Sequence, residues 1–161
     1  MVRFGFAFLI VSILSAMLFL DPARAAPVQN NYSTYFMPDM FSIDRIPFSC
    51  GTVIFELDSK LPVAGVNRGN GHIVLNPDIL ESMPTALKLF IADHECAYTV
   101  VGRKDETAAL CWAVRDGRDE GWYPPPTFAM LTRLLRQSPE PGWPPRLTVK
   151  QIQAMKKCYA K

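Results

Sequence analysis

The sequence predicts an α+β domain in which a short antiparallel β-hairpin precedes a mostly helical region with an antiparallel helix pair. β-Forming residues are concentrated in two short runs before residue 76, and apolar residues recur every three or four positions after residue 84. The chain of 161 residues has the length of one domain rather than two. Its 17 basic and 15 acidic residues nearly balance, so the composition gives no support for a nucleic-acid binder.

The first 25 residues have the form of an export signal. Arg3 precedes an uncharged apolar run over residues 4–20, and the small residues Ala23 and Ala25 are typical of a signal-peptidase site. A membrane anchor is the alternative, but 17 apolar residues are at the short limit for a spanning helix. We therefore expect cleavage after Ala25 and an exported protein, periplasmic or secreted, that keeps no membrane anchor.

The mature chain is expected to start with an extended arm, residues 26–47, followed by the folded domain, residues 48–161. The arm contains polar and aromatic residues, and its apolar residues do not recur with the period of a helix or a strand. Thr52–Leu57 and His72–Leu75 are rich in β-formers and predict two strands. Residues 58–71 lie between them and are rich in Gly, Pro, Asn and Asp, which predicts turns. We expect the two strands to pair as an antiparallel hairpin.

Proline and glycine mark the predicted helices. Asn76 followed by Pro77 is typical of a helix start and predicts a short helical turn, and Pro84 opens the main helix in the same way. The main helix and the one that follows it are expected to form the antiparallel pair. The main helix is expected to end near Gly102. Three further helices are predicted over about residues 106–120, over about residues 127–137, and from residue 148 or 150 to residue 159.

His94 and Glu95 lie in the middle of the main helix, where His94 shares an apolar face with Phe90 and Tyr98. A buried His beside a buried Glu is costly unless other groups pair with them. Zinc proteases place such a pair in the motif HExxH, in which two His four residues apart bind one metal ion and the Glu activates a water. Here the spacing is kept, but Tyr98 stands at the position of the second His.

The stretch from Ala92 to Trp122, which contains HECAY and ETAALCWAVR, resembles small exported gluzincin-type zinc peptidases. In that family HECGH on one helix is followed by ExxADCWA on the next. The resemblance implies a zincin-like fold. It also implies that His94 is the first zinc ligand, that Glu95 is the general base, and that Glu106 is the third ligand.

Two departures from the family's motif concern the same metal site. Tyr98 replaces the second zinc-binding His, and Leu110 replaces the Asp of ExxAD, which in the family orients a ligand. The two changes are physically coupled, because an orienting carboxylate has a use only beside a metal-bound His and is otherwise an unpaired buried charge. Together they indicate a zinc site that has been lost or weakened.

The sequence therefore predicts a metallopeptidase-like pseudoenzyme that acts as a monomeric binding or structural protein, with zinc absent or weakly bound and an unspecified protein or peptide partner. In this hypothesis Tyr98 fills the metal space and donates to Glu106 or Glu95. The alternative is an active zinc peptidase in which His94, Glu106 and a Tyr98 phenolate hold the metal and Glu95 activates the water. The pKa of an ordinary phenol, about 10, favours the pseudoenzyme.

Four cysteines in a small exported chain predict two disulfides, and the lack of a CxxC motif argues against metal ligation. In an antiparallel helix pair that turns near residues 103–104, Cys96 and Cys111 are equally far from the turn. We therefore expect the bridge Cys96–Cys111. This pairing leaves Cys50–Cys158 to fasten the last helix to the start of the first strand.

Overall fold

The structure, a computed structural model, describes residues 33–102, 105–138 and 141–161. The predicted signal peptide, residues 1–25, and the first part of the predicted arm lie outside the described residues. Within the described part the chain has the α+β architecture that the sequence predicts, with a small sheet and five helices. No helix in these three segments is long and apolar enough to cross a lipid bilayer.

The described residues form six strands: Thr34–Phe36 (β1), Ser42–Ile43 (β2), Ile46–Pro47 (β3), Ile54–Leu57 (β4), Gly65–Gly69 (β5) and His72–Leu75 (β6). Four of them make one sheet in the order β1-β4-β6-β5, so that β1 and β5 are its edges. Both edge strands run antiparallel to their neighbours. The other two strands, β2 and β3, form a separate antiparallel pair.

The predicted antiparallel hairpin of the segments around β4 and β6 is wrong. The two strands are neighbours but run parallel, with Phe55 opposite Ile73. The antiparallel partner of β6 is β5, which lies inside the segment predicted to contain only turns. The residues of β5, Gly-Val-Asn-Arg-Gly, have little β propensity, so this strand is held by its neighbours rather than by its own sequence.

The described part of the predicted arm, residues 33–47, packs against the rest of the domain. β1 pairs with β4, and the side chains of Phe41 and Ile43 are buried. The ring of Phe41 stacks on that of Phe55, with 4.5 Å between the centroids. Burial of one such side chain is worth about 1.5–3 kcal/mol, which explains why an aromatic segment without a regular period is ordered here.

Five helices follow, within a few residues of the predicted bounds: Pro77–Glu81 (α1), Thr85–Val101 (α2), Glu106–Asp119 (α3), Pro125–Gln137 (α4) and Val149–Tyr159 (α5). The side chain of Asn76 accepts hydrogen bonds from the first backbone N–H groups of α1. Thr148 and Gln151 form a capping box at the start of α5. Gly102 ends α2 with a φ of 88°, a conformation that favours glycine.

α2 and α3 run antiparallel beside the sheet. Tyr98 near the end of α2 contacts Glu106 at the start of α3. Asp93, earlier in α2, faces Asp116, later in α3. This arrangement places the middle of α2 between the sheet and α3. The core that joins these elements is apolar and includes Phe55, Ile73, Leu75, Leu87, Ile91, Leu110 and Val114.

Two disulfides are present, as predicted, but the predicted pairing is wrong. Cys50 is bonded to Cys96, and Cys111 to Cys158, with Cα–Cα distances of 5.8 and 5.3 Å. Equal distance from a turn places Cys96 and Cys111 at one level of the helix pair but does not place them on facing sides. Cys96 is directed to the segment before β4, whereas Cys111 faces α5, with its Sγ 3.9 Å from the carbonyl oxygen of Ala154. Each bridge therefore ties one central helix to a different neighbour.

Asp93 on α2 is a buried carboxyl in this core. Its side chain is almost fully buried, and neither oxygen has a hydrogen-bond partner of good geometry among the described residues. Burial, together with the neighbouring carboxyl of Asp116, raises the pKa of Asp93 to about 9. Burial and the same two carboxyls also raise the pKa of the Tyr123 hydroxyl. Asp93 therefore carries a proton in the folded protein at neutral pH.

We expect Asp93→Asn to stabilise the protein at neutral and mildly alkaline pH. The folded state keeps a proton on Asp93 that the unfolded chain releases at an ordinary Asp pKa. The free energy of unfolding of the wild type should therefore fall as the pH rises from about 4 to about 9. Urea unfolding at about pH 5 and about pH 8 measures this slope, and the exposed Asp39→Asn is the control. A slope in the wild type no steeper than in Asp93→Asn would show that Asp93 is ionised in the fold.

Peptide mapping of the oxidised protein tests the disulfide pairing. Trypsin cuts after Arg103, between the two central cysteines, so each pairing gives different linked peptides without reduction. We expect residues 46–60 joined to 89–103, and residues 105–115 joined to 158–161. Residues 89–103 joined to 105–115 would instead indicate the Cys96–Cys111 bridge and contradict the fold described above.

Candidate functional site

The side chains that the sequence singles out come together where the second half of α2 faces the start of α3. His94 and Tyr98 are four residues apart and project from one face of α2. Glu106 is the first residue of α3, and the side chain of Asp105 fixes that start by accepting a hydrogen bond from the N–H of Ala108. The structure therefore brings His94, Tyr98 and Glu106 into contact.

The hydroxyl of Tyr98 lies between the other two side chains. Its oxygen is 3.0 Å from His94 Nε2, and it donates a hydrogen bond to Glu106 Oε2. His94 Nε2 is also 3.5 Å from Glu106 Oε1. The hydroxyl thus stands between the two side chains that the resemblance names as zinc ligands.

The contacts of His94 determine which ring nitrogen carries its proton. A carboxylate only accepts, so Tyr98 donates to Glu106 and its oxygen is left to accept from His94 Nε2–H. Nδ1 is buried and has no hydrogen-bond partner among the described residues, so a proton on Nδ1 would be an unsatisfied donor. A zinc-binding imidazole needs the reverse arrangement, with a bare Nε2 and a hydrogen-bonded Nδ1–H.

A zinc-binding His needs a hydrogen-bond acceptor for its Nδ1–H, but neighbouring side chains of His94 are apolar. Leu110 is buried and lines the same cleft as His94, and the ring of Phe90 stacks on the imidazole with 5.8 Å between the centroids. No three His, Cys, Asp or Glu side chains of the described segments are placed to share a metal ion. As these side chains stand, the donor set does not fit a catalytic zinc ion.

His94 and Tyr98 favour the ionised form of Glu106. The His94 imidazole, whose Nε2 lies 3.5 Å from Oε1, lowers the pKa of Glu106 most, and the hydrogen bond from Tyr98 adds to this effect, while partial burial opposes it. The Glu106 side chain is 44% exposed, so its charge reaches the cleft and the solvent.

Glu95, the general base that the resemblance implies, binds the edge of the sheet. Its Oε2 accepts a hydrogen bond of 2.7 Å from the backbone N–H of Asn67 in β5. The amide of Asn67 in turn donates to the Glu95 carbonyl oxygen at 2.7 Å and to Thr99 Oγ1 at 2.9 Å. The carboxylate therefore fastens strand β5 to helix α2.

β5 also approaches α2 closely at Gly65. A Cβ at this position would lie 2.8 Å from Leu75 Cδ2 and 3.0 Å from Ile91 Cγ2. A residue without a side chain allows this close approach, which explains a Gly at the start of β5. The strand is thus held against the helix both by packing at Gly65 and by the hydrogen bonds of Asn67.

A cleft of about 430 Å³ is lined by His94, Glu95, Tyr98 and Glu106. Its other lining residues are mostly apolar and come from residues 63–65, the segment 142–147 and the four helices α2 to α5. That segment is fixed near both ends, since the carbonyl of Gly142 accepts from the N–H of Ala64 and the N–H of Leu147 donates to the carbonyl of Leu135. The volume is within the range of sites that bind small ligands or side chains of a peptide.

Two parts of this site were not predicted from the sequence. Asn67 lies in a stretch of turn-forming residues, so nothing in the pattern separates it from loop residues. Trp143 lines the cleft from a proline-rich segment whose position depends on tertiary contacts. His72, the other histidine of the sequence, is not among the residues that line the cleft; its Nε2 is 2.9 Å from Glu56 Oε2 on the sheet.

Comparisons of the chain with models of protein families, with curated proteins and with solved structures found no significant match. The likeness to zinc peptidases therefore rests on the residues of the sequence alone.

We expect Tyr98→Phe to lower the free energy of unfolding by roughly 1 kcal/mol, because it removes the hydrogen bond that the hydroxyl donates to an ionised and partly exposed carboxylate. The pKa of Glu106 should rise in the variant, since a donor that lowers it is lost. The stability difference should therefore shrink as the pH falls below the range in which Glu106 ionises. Carboxyl-carbon NMR titration and urea unfolding measure the two effects. Tyr35→Phe, at an exposed Tyr, is the control, and equal effects of the two variants would contradict the assigned contacts.

Proposed function

We propose that this protein is a non-catalytic, exported domain of zincin-like fold, in which the Tyr98 hydroxyl takes the place of a zinc ion. The cleft beside it serves to bind a protein or peptide. The observation that carries the proposal is the position of this hydroxyl between His94 Nε2 and Glu106 Oε2. The hydroxyl satisfies both groups without a metal.

Zinc binding at this position would require two unfavourable proton changes. Tyr98 would have to lose a phenolic proton, whose pKa is ordinarily about 10. His94 would have to move its proton from Nε2 to Nδ1, which is buried and has no acceptor among the described residues. The cost of both changes supports a site that does not recruit zinc at neutral pH.

The contacts of Glu95 support the same proposal. A general base needs a carboxylate oxygen within hydrogen-bond reach of the proton that it removes. Glu95 Oε2 accepts instead from the backbone of Asn67, and this hydrogen bond joins β5 to α2. The carboxylate therefore has a structural use that would preserve it in a protein without hydrolytic activity.

Export is proposed from the N-terminal segment and supported by the cysteines. Arg3, the apolar run over residues 4–20 and the small residues at 23 and 25 have the pattern of a cleaved signal. The two disulfides fit an oxidising compartment such as the periplasm or the extracellular space.

The double substitution Tyr98→His with Leu110→Asp tests the proposed function. It supplies a second imidazole and an orienting carboxylate, so we expect about one zinc ion per chain by elemental analysis and calorimetry. The wild type, purified without a metal-affinity tag, should hold no stoichiometric zinc even after incubation with excess metal.

The matched control is Tyr98→Phe with Leu110→Asn, which changes the same positions without adding a metal ligand. Loss of zinc from the double variant on adding His94→Ala would place the metal at this site. Thermal unfolding confirms that each variant is folded, and the single Tyr98→His serves if the double variant is not. One zinc ion per wild-type chain, lost in His94→Ala, would overturn the proposal in favour of an active peptidase.

A further inference from the structure

We propose that a basic groove between α4 and α5 binds a phosphate-bearing anion, at a place separate from the cleft beside Tyr98. The groove has a volume of about 700 Å³ and is lined by one face of each helix. Arg133 and Arg136, three residues apart on α4, share that face, and α5 contributes Lys156.

No acidic side chain of the described residues lies beside the three cations in the groove. The described residues that line it are apolar, polar or basic. Within the described segments Arg133, Arg136 and Lys156 make no ion pair, whereas Lys88 is paired with Asp44. Because the whole chain is nearly balanced in charge, this concentration of unpaired positive charge is local to the groove.

The base of the groove is neutral and held in place by packing. Phe128 and Ile152 are buried there, and the ring of Phe128 stacks on that of Tyr159 with 3.9 Å between the centroids. The disulfide from Cys158 to Cys111 fixes α5 on α3 next to this stack. The backbone positions that carry the cations are therefore set before a ligand arrives, which lowers the cost of binding.

The chemistry of the lining residues indicates phosphate. An Arg guanidinium presents paired N–H donors that match phosphate oxygens, and a Lys adds a compact charge. A phosphate monoester carries about two negative charges, so one or two phosphate groups neutralise three cations. Arg136 and Lys156 also lie in the last turns of their helices, where cations are favoured, but this effect does not explain Arg133 or the convergence of all three on one groove.

Free phosphate esters and the headgroups of anionic lipids share this chemistry, and the experiment distinguishes them. The oxidised protein, as exported by the expression host, is titrated with inorganic pyrophosphate by calorimetry. Flotation with vesicles of phosphatidylglycerol and phosphatidylcholine, compared with vesicles of phosphatidylcholine alone, tests the lipid. The groove variant is Arg133→Gln, Arg136→Gln and Lys156→Gln together. The control variant, Lys60→Gln, Arg68→Gln and Arg115→Gln, removes three exposed cations elsewhere and has the same net charge.

We expect the wild type and the control variant to bind with equal affinity, and the groove variant to bind at least about tenfold more weakly. Binding should weaken with added salt. Binding of pyrophosphate supports a soluble phosphate ester as the ligand, and binding to anionic vesicles alone supports a lipid headgroup. The proposal is overturned if the wild type binds neither probe, or if the control variant loses as much affinity as the groove variant.

Discussion

The hydrogen bonds of one phenolic hydroxyl join the two central helices of this domain at the candidate site. Tyr98 accepts from His94 within α2 and donates to Glu106 at the start of α3. Without it, a buried imidazole and an ionised carboxylate would face each other with no group between them. The hydroxyl joins three side chains at one point, as a metal ion does in the peptidases that the sequence resembles. A neutral hydroxyl, however, cannot polarise a carbonyl or acidify a water as a metal ion can.

The neighbouring residues are consistent with this replacement. Leu110 is apolar where an orienting carboxylate would be an unpaired buried charge, and it adds to the core instead. Glu95 keeps the carboxylate of the motif but uses it to hold Asn67 and the edge strand β5. We propose that these changes form one set, because each of them removes or redirects a group that a zinc site would need. The proposed ligand binding in the cleft that these residues line does not require a metal ion. The proposed anion binding in the basic groove between α4 and α5 does not require one either.

Helices were predictable from this sequence because their start and stop signals are local. Asn76, Pro84 and Gly102 mark ends that the structure reproduces closely. Strand pairing was not predictable, because β5 has the composition of a turn and becomes a strand only between β6 and α2. The predicted disulfide pairing was wrong for a related reason. The level of Cys96 and Cys111 along the helix pair follows from the sequence, but the side that each one faces depends on packing against β4 and α5.

The sequence was sufficient to predict which residues form the candidate site, but not how their side chains contact one another. The motif spacing brings His94, Tyr98 and Glu106 together, but the hydrogen bond by which Glu95 holds Asn67 follows only from the fold.

The most direct test of the central claim is nitrogen NMR of the His94 ring, assigned with a His72→Gln variant, before and after adding zinc. The arrangement described here predicts a proton on Nε2, an unprotonated Nδ1, and no change with zinc at neutral pH. An Nε2 that is unprotonated, and whose signal shifts with one equivalent of zinc, would contradict it.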